Sequence, residues 1–98
     1  MALLDDVKLA LRISSSAFDA EINDLITAAK ADLQLSGVVE TKVNDEEDPL
    51  IKRAVITYVK ANFGWDNPDV ERLQQSYDML KTHLTLSTEY TPVEEETT

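Results

Sequence analysis

The residue types able to do chemistry are sparse in these 98 residues and are not spaced to work together. His83 is the single histidine, and no cysteine is present, which removes thiolate nucleophiles, disulfides and zinc sites built on sulfur. Ser14-Ser15-Ser16 offers hydroxyls, but no histidine accompanies them at a useful spacing and no glycine-rich phosphate loop occurs. The run Asp45-Glu46-Glu47-Asp48 has the oxygen chemistry a hard cation wants. It lacks the alternating ligand positions, mid-loop glycine and closing glutamate of a helix-pair calcium loop, and reads as a solvated link into a helix cap. No catalytic, cofactor-binding or metal-ligating residue is assigned; the expected job is contact with other macromolecules, and the chain is not expected to be an enzyme.

Five residues are candidates for such contacts. Lys52, Arg53 and Lys60 converge within an arc of about 100° at helical spacing and form the chain's only basic stripe, suited to an acidic neighbour. Charges of that kind also commonly pair within their own chain, contributing well under about 1 kcal/mol each. Trp65, in the link Gly64-Trp65-Asp66-Asn67, is either a core plug, the reading preferred here, or an exposed interface anchor. Tyr90 sits in a polar tail with no internal core to join and reads as a contact made in an assembly. His83, in a last helical turn, is expected simply to face solvent.

The elements that must position these residues are helical. With two glycines and three prolines, the chain leaves long segments uninterrupted. Leu3, Val7, Ala10 and Leu11 share one side of a first helix over residues 3–12, with Asp5 and Asp6 in the opening turn where the macrodipole favours acids. The serine triplet then offers N-caps for a second helix, whose apolar stripe is Phe18, Ile22, Leu25, Ile26, Ala29 and Leu33, with Gly37 as its stop. Residues 38–47 read as a polar connection in which Val38, Val39 and Val43 form at most a short extended piece, with no strand assigned. Asp48-Pro49 is a strong helix start, because aspartate caps free amides and proline has no amide to leave unpaired. The third helix, over residues 49–62, is apolar around about two-thirds of its circumference, too much for a surface helix. It is the expected centre of the fold. Asn67-Pro68 repeats the cap-plus-proline signal before a narrower stripe of Val70, Leu73, Tyr77, Leu80 and Leu84.

The predicted fold class is therefore all-α: a small bundle of about four helices around a buried third helix over residues 1–86. Residues 87–98 form an acidic tail too poor in apolar groups to offset the entropy of ordering it, and are expected to be disordered in the free protein. The net charge is −10, concentrated in two places: residues 37–48 and residues 85–98 each carry a net −4, whereas residues 49–84 are net +1. Such a surface disfavours a free-standing high-affinity DNA binder. The opening lacks a signal-peptide pattern, and no stretch approaches the roughly 20 apolar residues of a membrane span.

The order of these elements is itself informative. A leucine-aspartate opening with Val7-Lys8-Leu9-Ala10-Leu11-Arg12-Ile13 is followed by Phe18-Asp19-Ala20-Glu21-Ile22-Asn23-Asp24-Leu25-Ile26-Thr27-Ala28-Ala29-Lys30, then by Asp48-Pro49-Leu50-Ile51-Lys52-Arg53-Ala54-Val55, with Tyr77-Asp78-Met79-Leu80 in the last helix. Over roughly residues 3–86 this resembles the small head-tail connector (head-completion, or adaptor) proteins of long-tailed bacteriophages. The resemblance implies a helical structural subunit of the virion neck, made in the bacterial host cytoplasm. It would form a ring, twelvefold like the portal, beneath the portal protein and above a downstream stopper or tail-completion protein. Packaged DNA would pass through without specific binding, and neither cofactor nor membrane is implied. The competing reading is an acidic regulatory or inhibitory protein that mimics DNA. It would need carboxylates along one continuous folded face, whereas the excess here lies in a loop and a tail. A helix-turn-helix DNA reader is weaker again for want of a basic recognition helix.

Overall fold

The computed structural model describes residues 3–63 and 68–91, and every regular element within them is helical. In chain order these are α1 (Leu3–Leu11), a short 3-10 helix (Ser16–Phe18), α2 (Asp19–Leu35), α3 (Glu40–Val43), α4 (Pro49–Asn62) and α5 (Val70–Leu86). The all-α bundle expected from the 3.6-residue period is thus the fold.

Its axis is α4. One carboxylate oxygen of Asp48 accepts hydrogen bonds from the Leu50 and Ile51 amides at 2.9 and 3.1 Å, and Pro49 fills the first turn. Ile51, Ala54, Val55, Thr57, Val59 and Ala61 are buried, and α5, α2 and α1 all pack against this helix. Each large aliphatic side chain fully withdrawn from water, as Ile51, Val55 and Val59 are, contributes roughly 1.5–3 kcal/mol. From α1 come Leu3 and Val7, from α2 Ile22, Ile26, Ala29 and Leu33, and from α5 Tyr77 and Leu84.

Two helices end in the same way with different residues. At the end of α2 the Val38 amide bonds to the Leu33 carbonyl and the Gly37 amide to that of Gln34, a Schellman closure with Gly37 at φ +120°. At the end of α1 the Ile13 amide bonds to the Lys8 carbonyl and the Arg12 amide to that of Leu9. Here a non-glycine residue, Arg12, takes the left-handed conformation at φ 62°.

Four local expectations change. The serine triplet does not cap α2: Ser15 Oγ accepts the Ala17 amide at 3.0 Å and caps the 3-10 helix instead. Phe18 consequently leaves the α2 stripe, stays 45% exposed and meets Phe63 edge-on at 5.7 Å. The 38–47 connection is not extended in its middle, because residues 40–43 make a helical turn that seals Val38 and Val43 into the core. α5 begins two residues after Pro68, with Asp69 at the cap position and no side-chain cap bond, so packing rather than capping anchors it; Asn67 lies outside the described residues.

Candidate docking surface

Lys52, Arg53 and Lys60 do lie on one side of α4, yet the neighbours of that side divide them. Lys52 Nζ is 3.3 Å from an Asp6 carboxylate oxygen on α1, with both side chains about one-third exposed or less, so this lysine ties α1 to α4. Arg53 and Lys60 instead border a groove of about 360 Å³ between α4 and α5, floored by Ile56, Leu73 and Leu80. The groove exists because small side chains, Thr57 on α4 and Ser76 on α5, face it; the Thr57 hydroxyl folds back onto the Arg53 carbonyl at 2.8 Å. Towards the start of α4 it continues as a shallower hollow of about 300 Å³ lined by Glu47, Pro49, Lys52, Arg53 and Ile56.

His83 completes the α5 wall of this groove, and Met79 beside it is 63% exposed. His83 faces solvent as the sequence predicts, but opposite the basic side of α4, a juxtaposition that only the crossing of the two helices creates. Among the described residues that line it, the groove proper holds cationic, imidazole and hydroxyl groups and no carboxylate. What it offers is an apolar floor with a cationic rim, suited to an acidic segment with aliphatic character.

Tyr90 is the largest correction. Far from lacking a core, it is 7% exposed and belongs to the main hydrophobic cluster. Its hydroxyl donates to the Asp48 carboxylate, 3.0 and 2.9 Å from the two oxygens, and its carbonyl accepts the Val39 amide at 2.8 Å. The Lys42 ammonium sits 5.1 Å from its ring centre. Burial, with the adjacent Asp48 carboxylate, pushes the Tyr90 phenol up to about 12. The turn that returns the chain is closed by the Tyr90 amide on the Ser87 carbonyl at 3.2 Å and the Thr91 hydroxyl on the same carbonyl at 2.9 Å. Residues 87–91 therefore belong to the folded body, and Tyr90 as found is not a surface contact. Residues 92–98 and Trp65 lie outside the described residues.

Three acidic residues, Asp48, Glu46 and Asp32, tie separate parts of the fold together. Asp48 serves both the α4 cap and Tyr90. Glu46 accepts Lys30 Nζ at 2.9 Å and the Leu3 amide at 3.1 Å, and these two bonds hold its carboxyl below the usual range despite partial burial. Asp32 accepts the Tyr77 hydroxyl at 2.6 Å and Lys81 Nζ at 2.9 Å, joining α2 to α5. Burial alone would raise the Asp32 carboxyl, but the two hydrogen bonds and the Lys81 charge together outweigh it and the net shift is downward. Tyr77 is driven well above the ordinary phenol range by burial first and by Asp32 second. Among the described residues no three His, Cys, Asp or Glu side chains converge as a metal site, and no helix is long and apolar enough to cross a membrane.

Sequence comparison agrees with the architecture. The profile of the family described as phage connector protein matches residues 3–91, so the matched unit runs through Tyr90 and stops where the described fold stops. No curated protein and no solved structure matches the chain. With nearly its whole length covered by that profile, and with the helical order on which the resemblance rested present in the fold, the chain belongs to the phage connector protein family.

Proposed function

We propose that this protein is a structural subunit of the virion neck that assembles as a ring beneath the portal and joins the DNA-filled head to the tail. The observation that carries the reading is the family match over residues 3–91. The fold is compatible with it: an all-helical body centred on α4, with a groove whose apolar floor and cationic rim suit contact with another segment. A twelvefold ring would match the portal, with a stopper or tail-completion protein on the opposite side. The net charge of −10 would let packaged DNA slide through such a ring without sticking, a reading of the lumen that an assembled structure with the acids turned away from the channel would remove.

The rival reading, a DNA mimic, would need carboxylates along one continuous folded face. Asp6, Asp19, Asp32, Glu46 and Asp48 are each committed to partners within the chain. The deciding experiment mixes the purified protein with portal rings of the parent phage and reads stoichiometry by native mass spectrometry. A complex with a fixed number of copies per portal is expected. Failure to bind portal, together with tight binding to a host nucleic-acid enzyme, would overturn the proposal.

A further inference from the structure

Two surfaces that the core leaves open have opposite chemistry. One is the groove between α4 and α5, where an apolar floor lies beneath Arg53 and His83, Met79 is 63% exposed, and no described carboxylate lines the wall. Arg53 has no ion-pair partner among the described residues. The other is the outer face of α2. At about 100° per residue, Glu21, Asp24, Ala28, Ala31 and Leu35 share an arc of about 80° on the side away from the buried Ile22, Ile26, Ala29 and Leu33, and no base falls within it. Glu21 and Asp24 are exposed and enter none of the ion pairs among the described residues, and Leu35 is 88% exposed. We infer that the groove seats the outer face of α2 from a second copy of this chain, with Glu21 and Asp24 on Arg53 and His83 and Leu35 over the apolar floor. This rests on the ring reading and names the contact between its subunits.

Spacing, length and topology agree with that occupant. A helix lying in a groove presents anchors at i, i+4 and i+7, the spacing of Asp24, Ala28 and Ala31, and the two alanines are small enough to let α2 sink between α4 and α5. From Asp24 to Leu35 the face is about 16 Å long, and the α5 wall from Leu73 to His83 is about 15 Å. α4 and α5 run antiparallel, with Tyr58 and Tyr77 in ring contact at 5.1 Å, so Arg53 shares one end of the groove with His83. The acids at one end of the α2 face meet that pair while Leu35 reaches towards Leu73. A chain cannot fill its own groove in this way. Tyr77 and Lys81 meet Asp32 of α2 on one side of α5, whereas Met79 and His83 lie about 160° round from them on the groove side. The contact therefore joins unlike surfaces head to tail, the kind that closes into a ring when the rotation between copies allows. Copies of net charge −10 repel one another at long range, and setting acids against the one basic side lets them approach.

The chain has no cysteine, so single cysteines report a contact between copies without background. Isotope-labelled Leu35→Cys chains and unlabelled Ser76→Cys chains are mixed with portal rings of the parent phage and treated with a short bismaleimide, and mass spectrometry counts the mixed dimers. They are expected about tenfold or more above those from Leu9→Cys with Ser76→Cys, a pair that the contact does not bring together. Asp24→Arg in both chains should lower the yield about fivefold or more. Adding Arg53→Glu to Asp24→Arg should restore it, since every contact then pairs reversed charges. If a fixed number of copies binds each portal but the two cysteine pairs cross-link equally, or the reversed charges neither lower nor restore the yield, the seat is overturned and the ring reading stands. If no copies bind the portal, the ring reading fails, and the same pairs in the free protein at about 1 mM decide the seat. Mixed dimers above the control there support it, and equal yields overturn it.

Discussion

Replacing Tyr90 by Phe removes one oxygen and tests whether the chain beyond Leu86 is bound to the body as the structure has it. The lost group donates to a carboxylate that is itself 9% exposed, and a hydrogen bond to a charged acceptor is worth about 1.5–3 kcal/mol. Asp48 keeps its two backbone amide partners, which places the loss at the low end, about 1.5 kcal/mol. For a domain of this size that lowers the melting temperature by roughly 6–12 °C, read by far-ultraviolet circular dichroism. Tyr90→Ala also empties the ring's place and is expected to cost roughly 3–5 kcal/mol. Asp48→Asn retains a capping oxygen, so a double-mutant cycle with Tyr90→Phe isolates their coupling, expected at about 1 kcal/mol or more. The pair also leaves a signature in alkali. The phenol is raised from 10.0 to about 12, so its stabilisation is whole below pH 10 and is lost as pH climbs through 12. The difference between wild type and Tyr90→Phe should therefore shrink over that interval. A Tyr90→Phe protein that melts within about 0.5 kcal/mol of wild type, as an exposed tail aromatic would, refutes the docking.

Acid should weaken the tie between α2 and α5. The Asp32 carboxyl is lowered from its ordinary 3.8 by the Tyr77 and Lys81 hydrogen bonds working against burial, so its stabilisation is present above that value and is lost as pH falls through the lower, folded one. Urea midpoints should drop below about pH 4 in wild type and drop less in Asp32→Asn, with equal slopes counting against the tie. The two Schellman closures should respond oppositely to substitution. Gly37→Ala meets only Thr85 Cγ2 at an ordinary 3.9 Å, so its cost is the left-handed backbone alone, about 1 kcal/mol or somewhat more. Arg12→Gly relieves the same restriction at φ 62° and should stabilise by up to about 1 kcal/mol. Thermal melts of the two variants moving in the same direction would contradict this account.

How much was readable in advance varies with the distance over which each feature is encoded. The buried α4 was legible because Asp48-Pro49 marks its start and its apolar residues cover about two-thirds of the circumference, both signals lying between Asp48 and Asn62. Gly37 announced its turn, whereas Arg12 did not, since nothing local marks an arginine for left-handed geometry. Tyr77 belonged visibly to a stripe, but its partner Asp32 lies 45 positions away, and Asp48 lies 42 positions from Tyr90. A single aromatic docked through a turn has no period to betray it. The one available signal was that a lone large aromatic in a polar stretch gains most by burial.

The candidate surface divides along the same line. Lys52, Arg53 and Lys60 share a face by helical spacing alone, and that much was present in the residues. What each cation faces depends on the neighbouring helix: Asp6 of α1 for Lys52, the α5 wall with His83 for Arg53 and Lys60. Helix identity, burial of α4 and the charge pattern follow from interactions a few residues long, so the chain encodes them wherever it is read. Segments 40 and more residues apart meet only through the angles at which helices pack, and no local pattern specifies those. The groove and the Tyr90–Asp48 bond accordingly came into view only with the folded chain.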